Sequence, residues 1–395
     1  MRVAIVGGGI GGLTAAIALE RHGLDVVVYE QAPDVPRVGA SLQLGPNALR
    51  LLDDLGLLPA LRGIGVLPDA VNFVRWDDGS LLLHTPLGPA MEEHFGAPQL
   101  DFFRPDLHRA LVEALLPETL RLGARVVRVE QDADAVAVTL ADGTRASADV
   151  AVAADGIRSP IRQQLAGAED PVFSGTVVYR GVARREDVAA LHPPRVNYYW
   201  LGPYRHGVSY WISAGRLLAV NCAVQHADWS AESWTLEAPV EEVLPYFDGW
   251  HEPLRERIRR CPVFLRGAVF VRRPLERWSY GRVTLLGDAA HAMEPFQAQG
   301  AAQAVEDGYV LAHCLARHSA DPVEALRRYE EMRMVRAEDL QTSSHAAANV
   351  FYLPDGEEQR ARDAAYRTLL AMQPWGPRQP IWEHDVRSAL VGELV

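Results

Sequence analysis

The sequence predicts a mixed α/β chain in which a domain of parallel strands and helices is interrupted by an antiparallel sheet and followed by helices. Three observations predict it. The glycine cluster Gly7-Gly8-Gly9-Ile10-Gly11-Gly12 sits between a short apolar strand and a helical run, period-two stretches separated by tight-turn signals fill the middle of the chain, and long helical patterns cover residues 300–341. At 395 residues the chain exceeds one ordinary core, so two interlocked domains are expected. Apolar residues at 48% and charged ones at 23% exclude a mainly disordered or fibrous protein.

Taken in order, Val3 to Val6 is a buried strand, Gly11 to Arg21 a helix and Asp25 to Glu30 the next strand, together one βαβ unit. Pro46 opens a helix that runs to Leu55, with leucines at 51, 52 and 55 facing inward. Ala70 to Trp76 and Ser80 to His84 flank Asp77-Asp78-Gly79, a hairpin signal foreign to a parallel sheet. Helix returns over Pro105 to Leu115, and a buried strand over Asp149 to Ala153 ends at Asp155-Gly156. A meander follows, formed by Val196 to Trp200, His206 to Ser213 and Leu217 to Val224. Arg282 to Leu286 is a buried strand leading to helices over Gly300 to Arg317 and Pro322 to Gln341. The simplest topology is a dinucleotide-binding domain (1–70, 97–172 and 271–345) interrupted by a β-sheet domain (71–96 and 173–270), with a helical segment over 346–395.

Composition narrows the partners. Against 51 Asp+Glu there are 39 Lys+Arg, a net charge of −12 that repels phosphate backbones and anionic lipid, so neither nucleic acid nor a membrane is an expected partner. Three scattered cysteines build neither a disulfide framework nor a CxxC metal site, which points to a reducing compartment. The apolar run Ala4 to Leu19 behind Arg2 superficially resembles a signal peptide, but its glycines and the lack of a small-residue cleavage site favour a folded segment and a cytoplasmic location. The thirteen histidines show no H-x-x-x-H or H-E-x-x-H spacing, so no metal is expected.

The glycine cluster satisfies G-x-G-x-x-G between a strand and a helix, the Rossmann-like arrangement. Gly7, Gly9 and Gly12 permit a tight turn and close approach of a pyrophosphate to the helix N-terminus. Glu30, eighteen residues beyond Gly12 and followed by Gln31, is placed to accept both hydroxyls of an adenosine ribose, which restricts the tightly held nucleotide to FAD or NAD. The segment Gly287-Asp288, followed by Gln299-Gly300-Ala301, decides between them. Asp288 can bind ribityl hydroxyls, and a helix starting near Gly300 can aim N–H groups at the pyrimidine edge of a reduced flavin, a need that nicotinamide lacks.

With these motifs in place, the chain resembles the single-component FAD-dependent aromatic hydroxylases of the salicylate hydroxylase and 6-hydroxynicotinate 3-monooxygenase type. The resemblance runs from Val3 to about Leu340. Beside the glycine cluster with Glu30 it rests on Val38-Gly39-Ala40 through Gly45-Pro46-Asn47-Ala48, Arg104-Pro105-Asp106-Leu107-His108, Asp155-Gly156-Ile157-Arg158-Ser159 and Gly287-Asp288, with an echo at Ile381 to Asp385. It implies that Arg104 approaches the FAD pyrophosphate and ribityl chain, that Val126 packs its main chain on adenine, and that Asp155 serves FAD and nicotinamide binding; from the residues alone Asp155 is equally a strand-end turn. It implies NADH or NADPH as a transient reductant, O2 as oxidant, a flavin C4a-hydroperoxide, and hydroxylation of a small phenolic, hydroxybenzoate-like or hydroxypyridine-like ring, with or without decarboxylation. The named relatives favour NADH. The oligomeric state is left open.

The substrate side is read from one strand. His206, Val208, Tyr210 and Ile212 share a face, and Gly207, Ser209, Trp211 and Ser213 the other. Alone, His206 and Tyr210 read as satisfied core polar groups; the resemblance places a His and a Tyr at this spacing in the substrate site, where they would activate the phenol. Gln43, Pro295 and Phe296 complete the expected pocket, Phe296 making its wall apolar where relatives carry His or Tyr. For a substrate carboxylate Arg75 and Arg180 are candidates, each expected as a surface or structural ion-pair residue, and His291 is read as structural. Two other readings remain: a flavin epoxidase or oxidase on the same scaffold, and a non-enzymatic binding protein of the superfamily.

Overall fold

The computed structural model describes residues 1–35, 39–167, 169–226, 236–372 and 375–392, so Val38 of the second motif lies outside them. Its first layer is a six-stranded sheet ordered Ser279–Tyr280, Val283–Leu285, Val150–Ala153, Arg2–Val6, Asp25–Tyr29 and Leu120–Arg121, parallel except for the first hairpin. Residues 3–6 and 150–153 of these strands are short runs of Val, Ile and Ala buried on both faces, as a parallel sheet covered by helices requires.

Two helices, Ile10–Arg21 and Gly300–Arg317, cover this sheet backbone to backbone. A Cβ on Gly308 would stand 2.7 Å from the Ala15 nitrogen, and one on Gly11 would stand 2.6 Å from the Leu286 side chain. That contact leaves no room for side chains, and it brings the starts of helices nearly three hundred residues apart to one cavity.

The second layer is an eight-stranded sheet ordered Leu236–Ala238, Phe264–Val271, Val172–Arg184, Leu217–Gln225, Arg205–Ile212, Val196–Gly202, Ala70–Arg75 and Leu81–Pro86. All neighbours are antiparallel except Val196–Gly202, which runs parallel to Ala70–Arg75. The predicted meander and hairpin thus supply five of its strands. The long strand Val172–Arg184 escaped sequence patterning because Gly175 and Gly181 interrupt its alternation and its register shifts between Phe173 and Val177. The face reading holds. Val208, Tyr210 and Ile212 pack in one buried cluster with Phe296 and Phe351, while Trp211 belongs to another with Trp200 and Leu254.

The helix expected to end at Gln341 continues to Phe351, because the polar run Thr342-Ser343-Ser344-His345 is bonded rather than terminal: the Ser344 hydroxyl donates to the Glu294 carbonyl at 2.6 Å and Gln341 Nε2 to the Ala292 carbonyl at 3.0 Å. Its thirty residues span roughly 45 Å. Helices Glu357–Met372, Gln379–Glu383 and Val386–Gly392 follow. The buried Arg50 donates to the carbonyls of Trp382 and His384, and a Cβ on Gly45 would meet the Trp382 ring at 2.7 Å, so the end of the chain is fastened beside the Gly45-Pro46 turn.

Candidate active site

The glycine turn is shaped by its own backbone. Gly7 has φ +108° with Tyr29 accepting from its N–H at 2.8 Å, and a Cβ there would come within 2.3 Å of the Ala154 carbonyl oxygen. On Gly12 a Cβ would lie 2.1 Å from the Gly7 oxygen. Glu30 accepts from the N–H groups of Gly8 and Ala32, both at 2.7 Å, which fixes its carboxylate at the rim of the turn. Neither the helix at 10–21 nor that at 300–317 has a side-chain cap or an acidic residue in its first turn. Their leading N–H groups therefore remain for a ligand, at the positive ends of both helix dipoles.

Both helix starts open on one cavity of about 410 Å³. Its nucleotide end is lined by Gly9 and Gly12 from the first turn, by Arg104, and by Asp288, Gly300 and Ala301 from the second. Asp288 turns to this cavity, and a Cβ on Gly300 would lie 4.0 Å from its Oδ1. The surrounding protein raises its carboxyl from the ordinary value, with His291 and Arg104 opposing. Exposed to the cavity yet surrounded by protein and set next to donors, this carboxylate suits a ligand rich in hydroxyls, and the residues present fit FAD. Gly7, Glu30, Gln31, Val126 and Asp155 are not among the described residues lining the cavity. Gln31 is exposed, Val126 is buried at the start of strand Val126–Gln131, and Asp155 lies between the lining residues Ala154 and Gly156. Burial pushes Asp155 up to about 6, against the pull of the Ser159 hydroxyl.

The other end of the cavity is the face of the large sheet. His206, Val208, Tyr210, Gln43, Pro295 and Phe296 all line it. The His206 ring is enclosed by Phe296, Phe351 and Tyr352 at centroid distances of 5.7, 5.5 and 5.4 Å. Burial pushes its pKa down to about 3, so the imidazole is neutral, and its Nδ1 is buried with no hydrogen-bond partner. The Tyr210 hydroxyl donates to Ser41 Oγ at 2.8 Å, and Asn221 Nδ2 donates to the same oxygen at 3.0 Å. The Tyr199 hydroxyl donates to Gln43 Oε1 at 2.8 Å. Near Gln43 the carboxyl of Asp101 is fully buried and pushed up to about 8 by that burial, with the Asn197, Gln99 and Gln43 amides pulling the other way.

Arg75 forms the expected ion pairs, with Asp77, Asp355 and Asp363. Arg180, the other carboxylate candidate, lines the cavity. His291 is structural: its Nε2 meets Asp307 Oδ2 at 2.6 Å in a buried network that also holds Arg333 and Glu306. Among the described residues no cluster could hold a metal ion, and no helix is long and apolar enough to cross a membrane.

Sequence reasoning missed Ser41, Tyr199, Asn221 and Phe351 as lining residues. Two of these were within reach. Hairpin closure around Pro203-Tyr204 pairs Tyr199 with Val208, and closure at Ser213–Gly215 pairs Asn221 with the same Val208, so both must share the His206 face.

A nucleotide cradle that opens without a break into a ring-sized, largely apolar chamber is the architecture of a flavoprotein that works on aromatic rings. Residues 1–344 match the FAD binding domain family, to which the chain belongs, and its relatives are FAD-dependent aromatic monooxygenases. It is 39% identical over 391 residues to a 3-amino-4-hydroxybenzoate 2-monooxygenase of Streptomyces platensis, covering 99% of this chain and 97% of the relative. It is 37% identical over 348 residues to a 6-hydroxynicotinate 3-monooxygenase of Pseudomonas fluorescens, covering 87% and 90%. Among solved structures, a salicylate hydroxylase substrate complex superposes with a TM-score of 0.84 at 28% identity, covering 99% of this chain and 97% of that one.

Proposed function

We propose that the chain hydroxylates a small phenolic ring, hydroxybenzoate-like or hydroxypyridine-like, using NAD(P)H, with NADH favoured, and O2. Residues 1–70, 97–172 and 271–345 form the flavin-binding unit of this reading, 71–96 and 173–270 the substrate sheet, and 346–395 the helical segment that closes over it, in a cytoplasmic enzyme. The single observation that carries the reading is the continuity of the cavity from the Gly9 and Gly300 turns to the His206–Tyr210 face.

Bound FAD, once reduced, supplies the chemistry: it activates O2 and delivers one oxygen atom to the ring. The protein holds it through the first-turn N–H groups of the helix at 10–21 on the pyrophosphate, Glu30 at the ribose, Arg104 and Asp288 along the ribityl chain, and the N–H groups near Gly300 at the flavin edge. Asp155, between the lining residues Ala154 and Gly156, would serve FAD and nicotinamide binding. Phe296, Pro295, Val208 and Phe351 keep water from the reacting ring.

The ring hydroxyl donates to the neutral His206, whose Nδ1 otherwise has no partner. With its pKa near 3, His206 orients the hydroxyl and draws density toward its oxygen rather than carrying the proton away. Ser41 already accepts from Tyr210 and Asn221, so its own hydroxyl hydrogen remains to donate to a polar group of a ligand at that side of the cavity. The test is stoichiometry on the holoenzyme: NADH and O2 consumed against hydroxylated product, over a panel of hydroxybenzoates, hydroxypyridines and aminophenols. One product per NADH for a panel member supports the reading. NADH oxidation that no aromatic compound stimulates sinks it.

A further inference from the structure

The reaction proposed above balances as one ring C–H, O2, NADH and one proton giving one ring C–OH, water and NAD+. Each turnover therefore draws a proton from solvent, while the ring end of the cavity is built to keep solvent out. His206 is not the carrier, because its pKa near 3 leaves the imidazole neutral. A route for that proton has to cross the cavity wall.

The wall holds one titratable pair that does so. Glu294 lines the cavity just before Pro295 and Phe296 and is 2% exposed. Its Oε2 meets His345 Nδ1 at 2.9 Å, and the His345 side chain, on the helix Pro322–Phe351, is 71% exposed. With Nδ1 turned inward, Nε2 is left to water. Docking of the helix does not need this contact, since Ser344 donates to the Glu294 carbonyl at 2.6 Å and Ser343 to Gln297 Oε1 at 3.1 Å. An ion pair with one partner so exposed stabilises little, whereas burying the carboxylate is costly. Stability therefore does not account for the pair. Burial raises the Glu294 carboxyl from its ordinary value, with His345 opposing, which brings it toward the range where proton transfer near neutral pH is efficient.

Few other charges bear on it. Tyr352, just past the helix and 5.4 Å from the His206 ring, is kept protonated by burial. Arg272 adjoins through its carbonyl, which shares Gln341 with that of Ala292, while its guanidinium donates to the carbonyls of Ile157 and Glu169. The helix neighbours of His345 one turn away, Gln341, Thr342, Ala348 and Asn349, are uncharged.

We infer that Glu294 and His345 are the proton entry of this cavity: His345 takes a proton from water at Nε2 and passes its Nδ1 proton to Glu294 Oε2, and Glu294 releases it inside. This rests on the monooxygenase reading above and deepens it. Glu294 faces the reacting chamber; His345 acts through it from outside.

The test is a single turnover of the reduced holoenzyme mixed with O2, using whichever hydroxybenzoate, hydroxypyridine or aminophenol the wild type hydroxylates. His345→Ala should form product about tenfold more slowly at about pH 8 and lose less at about pH 6, and added imidazole should restore most of the rate. His345→Gln, which keeps a hydrogen bond but moves no proton, should be as slow as His345→Ala. Glu294→Gln should be slow as well, and imidazole should help neither it nor the double variant. Flavin content and melting temperature are measured alongside. A readout without turnover is the infrared band of the protonated Glu294 carboxyl, which should vanish in Glu294→Gln and persist to higher pH in His345→Ala than in wild type, because His345 opposes the effect of burial. Full activity of His345→Gln, or a slow His345→Ala that imidazole leaves slow, overturns the proposal while the monooxygenase reading stands. If the wild type hydroxylates none of these rings, both fall.

Discussion

The two ends of the cavity are made of different material. The nucleotide end is backbone: glycines too tightly placed for a side chain, and the leading N–H groups of two uncapped helices. The ring end is side chain: one row of residues from four strands, with a lid of aromatics from the turn at 295–297 and the end of the long helix. Backbone sites tolerate almost no substitution because adding any atom displaces a main chain. Side-chain sites can be altered one residue at a time without disturbing the fold. One end is therefore built for a fixed cofactor and the other for variable substrates.

The difference is strongest at Gly7. Gly7→Ala must fit a Cβ 2.3 Å from the Ala154 oxygen in a backbone region that side chains rarely adopt, so it should cost about 3 kcal/mol or more and abolish flavin retention. Absorbance after gel filtration and a thermal melt read both effects, and a yellow, wild-type-like protein would break the contrast. Asp288→Ala removes a side chain from the nucleotide end and should weaken FAD about tenfold without a comparable loss of stability; titration of the apoprotein with FAD measures it. His206→Ala, at the ring end, should leave FAD affinity unchanged and cut product formed per NADH about tenfold. Unchanged coupling would remove His206 from the site.

The smallest effects are in pH. His206 has its pKa depressed from 6.5 to about 3, so the stability gained by burying the neutral ring is complete above about pH 6.5 and is lost as pH falls toward 3. Asp101 is the reverse. Its pKa is raised from 3.8 to about 8, so its contribution is complete below about pH 4 and is lost as pH rises through 8. Asp101→Asn should flatten the upper slope of a denaturation series and leave the lower one, while His206→Gln should do the opposite. A single slope unaffected by either variant would show that neither burial matters.

What was legible in the sequence follows from the same division. The cradle could be read because its spacing is local: Gly7, Gly9, Gly12 and Glu30 are all fixed within one βαβ unit. The ring end was legible only along a single strand, where alternation alone put His206 and Tyr210 on one side. That Arg180, one of two carboxylate candidates, reaches this face could not be read, because its position depends on a register set by a strand that glycines disguise. Phe351 was missed because the polar and small side chains from Thr342 to Asn349 look like a helix end until the partners of this stretch on the 292–297 segment are known. Ser41 depends on the short two-stranded pairing of Ser41–Leu44 with Leu100–Phe103, which four residues of pattern do not announce.

The long helix from Pro322 to Phe351 holds Arg333 in the buried charge network under the cofactor cradle at one point and Phe351 against His206 at its end. It acts as a ruler with eighteen steps between those marks. A single inserted residue would swing the terminal aromatic by roughly 100° and advance it about 1.5 Å, turning it away from the imidazole. Lineages that diversify their substrates on this scaffold are therefore expected to change the letters on the ruler and keep its length.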